Sequence, residues 1–477
     1  MSELTYYWHD YETFGANPRL DRPCQFAGQR TDAELNPIGD PLMIYSQPTD
    51  DFLPHPQACL ITGITPQIAE ERGEPEPVFI QEILDELSRP GTCSVGYNSL
   101  RFDDEVTRHT LWRNFHDPYA REWQNGCSRW DIIDMVRLTY ALRPEGIEWP
   151  LREDGQPSFR LEDLAGANGL VKERAHDALS DVHTTIALAR LIRDKQPKLY
   201  DYVTSNRDKQ SARSMLGLNE YMPVLHVSSK FPAAQGCLSL VMPLAEHPTN
   251  KNAVLVFDLR QDPGALLELS PEDIHERIFT PRADLPEDVE RIAVKAVHAN
   301  KCPILVPVKT INDAQAERLQ LNLPECRERW KAIRPHVDVI AAKLHAVFEM
   351  GEFEANSDAE QDLYGGFVGN ADRKLCDQIR RMSGPELASD TLVFEDRRLN
   401  ELLFRYRARH FPDDLNSAEQ DEWQRWRSKR IEFAPDGGIS LDEYRQLIEL
   451  LKQEHASEVD KLGILTALED WALRISP

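Results

Sequence analysis

The sequence predicts an α/β protein: a sheet covered by helices over residues 1–195, then a β-rich stretch, then a helical and strongly charged one. Three observations predict it. Strand-like segments crowd the first fifty residues, a short apolar run near residue 95 lies among helical patterns, and a long helical pattern closes the first part. Strands first, then helices interleaved with a strand, is the order of a sheet whose faces are covered by helices.

Taken in order, Thr5-Tyr6-Tyr7-Trp8-His9, Gln25-Phe26-Ala27-Gly28 and Pro41-Leu42-Met43-Ile44-Tyr45 predict strands over 5–9, 25–31 and 41–47. The turn-rich Asn36-Pro37-Ile38-Gly39-Asp40 separates the last two. Thr65-Pro66 offers an N-cap followed by proline at the first helical position, and a second helix covers Val78 to Leu87. Cys93-Ser94-Val95-Gly96-Tyr97 reads as a buried strand. Helical patterns follow at 103–115 and 130–142, and Leu161 to Asn168 stops at Gly169. A longer helix runs from Asp177 to Arg193. Gln196 to Met222 is polar and reads as a connection. Residues 223–310 carry β-like runs such as Leu238-Ser239-Leu240-Val241-Met242 and Ala253-Val254-Leu255-Val256-Phe257, and from Ile311 the pattern is helical.

The chain has 477 residues, enough for two to four cores, and a hydrophobic fraction of 41% can fill them. No apolar run approaches the length that spans a bilayer, and Met1-Ser2-Glu3-Leu4-Thr5 lacks the succession of a secretory signal. The eight cysteines are scattered without a C-x-x-C pair, which fits reduced thiols in a cytoplasm and excludes a zinc or disulfide framework of the usual spacing. A formal charge of −25 ranks nucleic acid low as a partner by charge alone. Net charge is a sum, however, and binding depends on where charges sit.

The chemistry lies in three acidic motifs. In Trp8-His9-Asp10-Tyr11-Glu12-Thr13-Phe14-Gly15 an extended backbone puts Asp10 and Glu12 on one face, where two carboxylates repel unless cations sit between them. In Gly96-Tyr97-Asn98-Ser99-Leu100-Arg101-Phe102-Asp103-Asp104-Glu105, Asp103 follows a buried strand at its carboxyl end, where open α/β sheets place their ligand crevice. In Ala175-His176-Asp177-Ala178-Leu179-Ser180-Asp181, Asp177 serves as the N-cap, which leaves Asp181 without that explanation and His176 just outside the helix. Taken singly, each has an ordinary reading as a solvated strand end, a helix cap or a surface histidine. Together, D-x-E on a first strand, Asp after a later strand and H-x-x-x-x-D at the last helix form a rare ordered set.

That set resembles the DEDDh family of 3′–5′ exonucleases, which has a ribonuclease H-like fold. Over essentially its whole length the chain is similar to the bacterial exonuclease I branch of that family. The likeness is carried by His9-Asp10-Tyr11-Glu12-Thr13-Phe14-Gly15, Leu60-Ile61-Thr62-Gly63-Ile64-Thr65-Pro66-Gln67 and Tyr140-Ala141-Leu142-Arg143-Pro144-Glu145-Gly146-Ile147. It continues in Val297-His298-Ala299-Asn300-Lys301-Cys302-Pro303, Leu363-Tyr364-Gly365-Gly366-Phe367 and Tyr406-Arg407-Ala408-Arg409.

The resemblance implies an exonuclease domain at 1–195, an SH3-like β domain with its linker at 196–350 and a helical C-terminal domain at 351–477. It implies hydrolysis of single-stranded DNA from the 3′ end to 5′-mononucleotides, in DNA repair and recombination. Two Mg²⁺ ions per site, with Mn²⁺ as a substitute, are expected on Asp10, Glu12, Asp103 and Asp181, and His176 is expected to be the general base. Arg160, with Glu12, is expected at the substrate. Arg108, Tyr119, Trp123, Arg137, Arg143, Asn300 and Lys301 are expected along the strand. The expected partner is single-strand DNA-binding protein, through its acidic C-terminal tail and a basic pocket to which Arg143 contributes; a cytoplasmic monomer is expected, with no membrane. Two other readings fit the motifs: a DEDDh enzyme for RNA or short oligonucleotides, and a non-catalytic module that binds DNA ends and recruits partners.

Overall fold

A computed structural model describes residues 4–170, 177–351, 358–389 and 391–476. The chain folds into two compact units, each discontinuous in sequence: Met1–Arg129 with Lys172–Ile186 and Ala355–Pro477, and Trp130–Val171 with Ala187–Glu354. Among the described residues no helix is long and apolar enough to cross a membrane.

The first unit is built on a mixed sheet. Its strands are β1 (Thr5–Thr13), β2 (Pro23–Thr31), β3 (Leu42–Ser46), β4 (Gly73–Glu74), β5 (Thr92–Gly96) and the start of β6 (Ser128–Asp131), in the order β4-β3-β2-β1-β5-β6. β1 pairs antiparallel with β2 and parallel with β5, so its two neighbours are a hairpin partner and the product of a crossover. Tyr7, Tyr11, Phe26 and Ile44 of the strands pack with Phe79, Ile80 and Ile83 of helix Glu76–Leu87 and with Val106 and Leu111 of helix Asp103–Arg113. The α/β expectation is met.

Two further cores of this unit join distant parts of the sequence. Phe14, Cys24, Leu53 and Cys59 pack with Tyr444, Ile448, Leu465, Leu468 and Trp471. Trp112 and Phe115 pack with Leu363, Leu399, Leu402 and Tyr406. The C-terminal helices therefore share their cores with the N-terminal sheet.

The second unit holds an antiparallel sheet of β7 (Val224–Val227), β8 (Leu238–Glu246), β9 (Ala253–Asp258), β10 (Val294–His298) and β11 (Leu305–Pro307), in the order β10-β9-β8-β7-β11. The polar stretch from Gln196 to Met222, read as a connection, contains helices Pro197–Ser205 and Lys209–Met215, which bury Tyr200, Val203 and Ala212. Its few apolar residues stand three and four apart, a helical period that polar composition hides. Likewise the start of the expected 130–142 helix is a strand: β6 precedes helix Ile133–Leu142. Addition of a strand to a sheet edge is a long-range event, invisible to local pattern.

Candidate active site

Alternation along β1 does the first sorting. Tyr11 points into the core, its ring 4.8 Å from that of Phe26. Asp10 and Glu12, its neighbours on either side, emerge together on the opposite face. The second contribution comes from the start of helix Asp103–Arg113, after β5. Asp103 is buried, 4% exposed, and its Oδ1 accepts a hydrogen bond from the backbone N–H of Tyr11 at 3.1 Å. One strand residue thus spaces two carboxylates and anchors a third.

Asp181 arrives on helix Ala178–Lys195. The side chain of Asp177 accepts from the backbone N–H of Leu179 at 3.4 Å, and its carbonyl accepts from that of Asp181 at 3.1 Å, so Asp177 caps the helix as its spacing predicts. Gln25, buried and directly across the ladder from Glu12, accepts from the N–H of Ala178 at 3.4 Å and ties the helix start to the sheet. Gln25 escapes sequence reasoning, since nothing in a β-strand glutamine marks it as a helix anchor.

Oxygens of Asp10, Glu12 and Asp181 lie within 4.8 Å of one another. Burial raises the Asp10 carboxyl well above the ordinary carboxylate range, and the charges of Asp103, Glu12 and Asp181 raise it further. Glu12 is pushed up to about 8, by burial first and then by Asp181, Asp103 and Asp177. Among the described residues the charges acting on these two groups are other carboxylates, and like charges this close do not all ionise near neutral pH without a cation among them. An all-oxygen donor set of this kind suits a hard divalent ion. The cluster is a divalent-metal site by its chemistry. His176, the expected base, lies outside the described residues.

The remaining expected positions fall in both units. In the first, Arg108 is buried and its guanidinium donates to Glu122 at 2.7 and 3.0 Å and to Glu105 at 2.7 Å. It also lies over the Tyr119 ring at 5.3 Å. Trp123 is 66% exposed and, with Tyr119, Trp112, Tyr364 and Phe367, lines a cavity of about 630 Å³. In the second, Arg160 is exposed and extended just ahead of helix Leu161–Ala167. Arg137 pairs with Asp134 at 2.6 Å over the Phe159 ring. The Arg143 guanidinium donates to the carbonyl of Leu142 at 2.5 Å, and Asn300 and Lys301 are exposed in the turn after β10.

Comparison with known proteins gives a concordant result. Residues 7–189 match the model of an exonuclease family, residues 207–350 an exonuclease I SH3-like domain and residues 357–475 an exonuclease I C-terminal domain. The chain is 43% identical to exodeoxyribonuclease I of Haemophilus influenzae over all of its length and 99% of that protein. It is 44% identical to exodeoxyribonuclease I of Escherichia coli over 99% of its length and 98% of that protein. Among solved structures, exonuclease I from Methylocaldum szegediense is 49% identical with a TM-score of 0.95, covering 99% of this chain and 100% of that one. Escherichia coli exonuclease I in complex with a dA16 oligonucleotide is 44% identical with a TM-score of 0.94 over the same shares. A further structure, of single-strand DNA-binding protein/exonuclease I with an inhibitor, is 42% identical with a TM-score of 0.91, covering 99% of this chain and 100% of that one.

Proposed function

The chain belongs to the exodeoxyribonuclease I family, and on that premise we propose that it removes nucleotides one at a time from the 3′ end of single-stranded DNA, releasing 5′-mononucleotides. The observation that carries this reading is the convergence of three mutually repelling carboxylates within 4.8 Å. Asp10, Glu12 and Asp181 would hold one Mg²⁺ and Asp10 with Asp103 a second, with Mn²⁺ as a substitute. When bound, such a pair of ions supplies charge stabilisation at the scissile phosphate and acidifies the attacking water.

The chain's own residues do the rest. His176 takes the proton from the attacking water, a task suited to an imidazole near neutral pH. Arg160 offers its planar fork to two phosphate oxygens. Trp123 and Tyr119 present aromatic faces on which bases stack without regard to sequence. Arg108, tied to Glu105 and Glu122, lies over the Tyr119 ring and joins it along the strand. Arg137, Arg143, Asn300 and Lys301 add positive and polar groups along the strand. The segments 1–195, 196–350 and 351–477 serve respectively as the catalytic, strand-holding and completing parts of the enzyme.

Single-strand DNA-binding protein is the proposed partner, its acidic tail meeting a basic pocket that includes Arg143. The enzyme acts as a cytoplasmic monomer in repair and recombination. One experiment tests the core of this reading. Purified protein is incubated with 5′-labelled single-stranded DNA, duplex DNA and RNA, with Mg²⁺ or with EDTA. A ladder shortening from the 3′ end, on single-stranded DNA and only with Mg²⁺, is the expected result. Faster loss of RNA, whose 2′-hydroxyl is the distinguishing group, would make the chain a ribonuclease. Binding without shortening would leave only a recruitment module.

A further inference from the structure

Helix Asp103–Arg113 opens with Asp103, whose charge acts on Asp10 and Glu12, so whatever fixes the helix fixes that carboxylate. One side is fixed by the sheet: Tyr11 N–H holds Asp103 Oδ1, and Thr107 Oγ1 donates to the Asp103 carbonyl at 2.8 Å while lying 3.1 Å from the Tyr11 hydroxyl. Val106 and Leu111 sit in the core beneath.

Another face carries Glu105, Arg108, His109 and Trp112, spaced i, i+3, i+4 and i+7 and therefore one continuous stripe. Each of the four is engaged by a segment about 250 residues away in the chain. The Tyr364 hydroxyl donates to Glu105 Oε2 at 2.6 Å and accepts from Arg108 Nη1 at 3.1 Å. His109 Nδ1 donates to the Glu360 carbonyl at 3.1 Å, and Trp112 Nε1 to the Ala359 carbonyl at 2.8 Å. The segment is itself anchored, since the Glu360 carboxylate receives Arg22 at 2.6 Å together with Arg409. His109 and Trp112 are 0% and 3% exposed, so these ring nitrogens are buried and take their partners from this segment.

We propose that residues 358–364 are a positioning strap for the acidic cluster: by covering the Glu105–Arg108–His109–Trp112 stripe they set the height and rotation of the helix and hence the place of Asp103. The inference rests on the cation-holding reading of the cluster. Ligand oxygens tolerate displacements of only about 0.5 Å, less than the play of a helix fixed on one side. Glu105, Arg108, His109, Trp112 and Tyr364 are positioning residues, acting through Asp103.

The test uses the full chain carrying Trp112→Phe and Tyr364→Phe together, which remove two strap bonds and touch none of the cluster. Mn²⁺ binding is measured by calorimetry without DNA, and kcat and KM are measured on single-stranded DNA. The expected result is a Mn²⁺ affinity weakened roughly five- to tenfold, kcat lowered by about as much, and KM within about twofold of the unsubstituted chain. Tyr364→Phe alone, at a ring 48% exposed, gives the same signs at smaller size and covers the case of a double variant that does not fold. As a control, Ser383→Ala breaks the capping box of helix Gly384–Leu387 in the same C-terminal stretch and leaves Mn²⁺ affinity unchanged. Unchanged Mn²⁺ affinity and kcat in the double variant overturn the proposal, as does a rise in KM alone or an equal loss of affinity in the control. Failure of the unsubstituted chain to take up Mn²⁺ sinks the functional reading itself, and the strap with it.

Discussion

Two clusters of buried acidic groups lie in the first unit, and they are built on opposite terms. In one, Asp51, Asp358 and Glu360 are met by Arg22, Arg405, Arg409 and Arg430, with Arg409 2.8 Å from Asp51 and Arg405 3.0 Å from Asp358. Burial alone would raise Asp51, but Arg409, Arg430 and Arg22 outweigh it and hold the carboxyl below its ordinary range. In the other cluster, Asp10 and Glu12 are driven upward by burial first and then by neighbouring carboxylates. The same contrast divides two adjacent residues. Asp104 receives Arg121 at 2.6 Å and Arg129 at 2.9 Å, whereas Asp103 turns to a backbone N–H and the cluster. A buried carboxylate given guanidinium partners is a rivet. One set among its own kind is held ready for a cation.

The largest effect should come from the repelling cluster. Asp10→Asn should lower kcat by about 10³-fold or more while leaving the fold intact, because it removes a ligand rather than a structural ion pair. Loss of folding together with activity, seen by circular dichroism, would place Asp10 among the rivets. His176→Ala should cost about 10²–10⁴-fold in rate while Mn²⁺ binding persists, and unaltered turnover would remove the residue from the reaction.

The riveted cluster should respond in the opposite way. Arg409→Ala strands Asp51 and Glu360 and should cost about 3–5 kcal/mol of unfolding free energy in a denaturant titration. A smaller effect is expected at the exposed Trp123. There Trp123→Ala should weaken single-strand affinity by about 1–3 kcal/mol without moving the melting temperature. An unchanged dissociation constant would take that ring off the strand's path.

The gentlest test is pH. Glu12 has its folded pKa raised to about 8 from an ordinary 4.5, so its stabilising contribution is complete below pH 4.5 and lost as pH rises through 8. Glu76 is the reverse: burial raises it, but Arg113 and Arg22 outweigh that and bring it to about 2, so its contribution stands above 4.5 and fails only as pH falls toward 2. Without divalent cations the melting temperature should therefore fall by a few degrees between pH 5 and 9, and Mg²⁺ or Glu12→Gln should flatten the slope. A slope untouched by either would mean that the decline arises elsewhere.

Much of this site could be read before any coordinates. The period of two along β1 places Asp10 and Glu12 on one face, and Asp177 caps the helix of Asp181 as its position predicts. The strands of the N-terminal sheet also fall near their predicted places, because apolar and aromatic runs bounded by turn residues are local signals. Several features that local pattern missed depend on residues distant in the chain: β6, the Gln25 tie and the Arg108–Tyr364 bond. The helices of 197–215 were missed for a different reason, their short apolar period being diluted by polar neighbours.

By itself the sequence determined which carboxylates exist, their order, and the faces they occupy on their own strand or helix, since backbone geometry within one element is set by its immediate neighbours. Only the tertiary structure decided that Asp103 holds the Tyr11 N–H near enough to Asp10 and Glu12 for its charge to raise them, while Asp104 is paired with Arg121 and Arg129, and that a segment near residue 360 covers the helix bearing both. Two chemically identical side chains, one residue apart, acquire different partners that no short window of sequence contains. Electrostatic environment is a property of what packs around a group, and that is fixed only when the chain closes on itself.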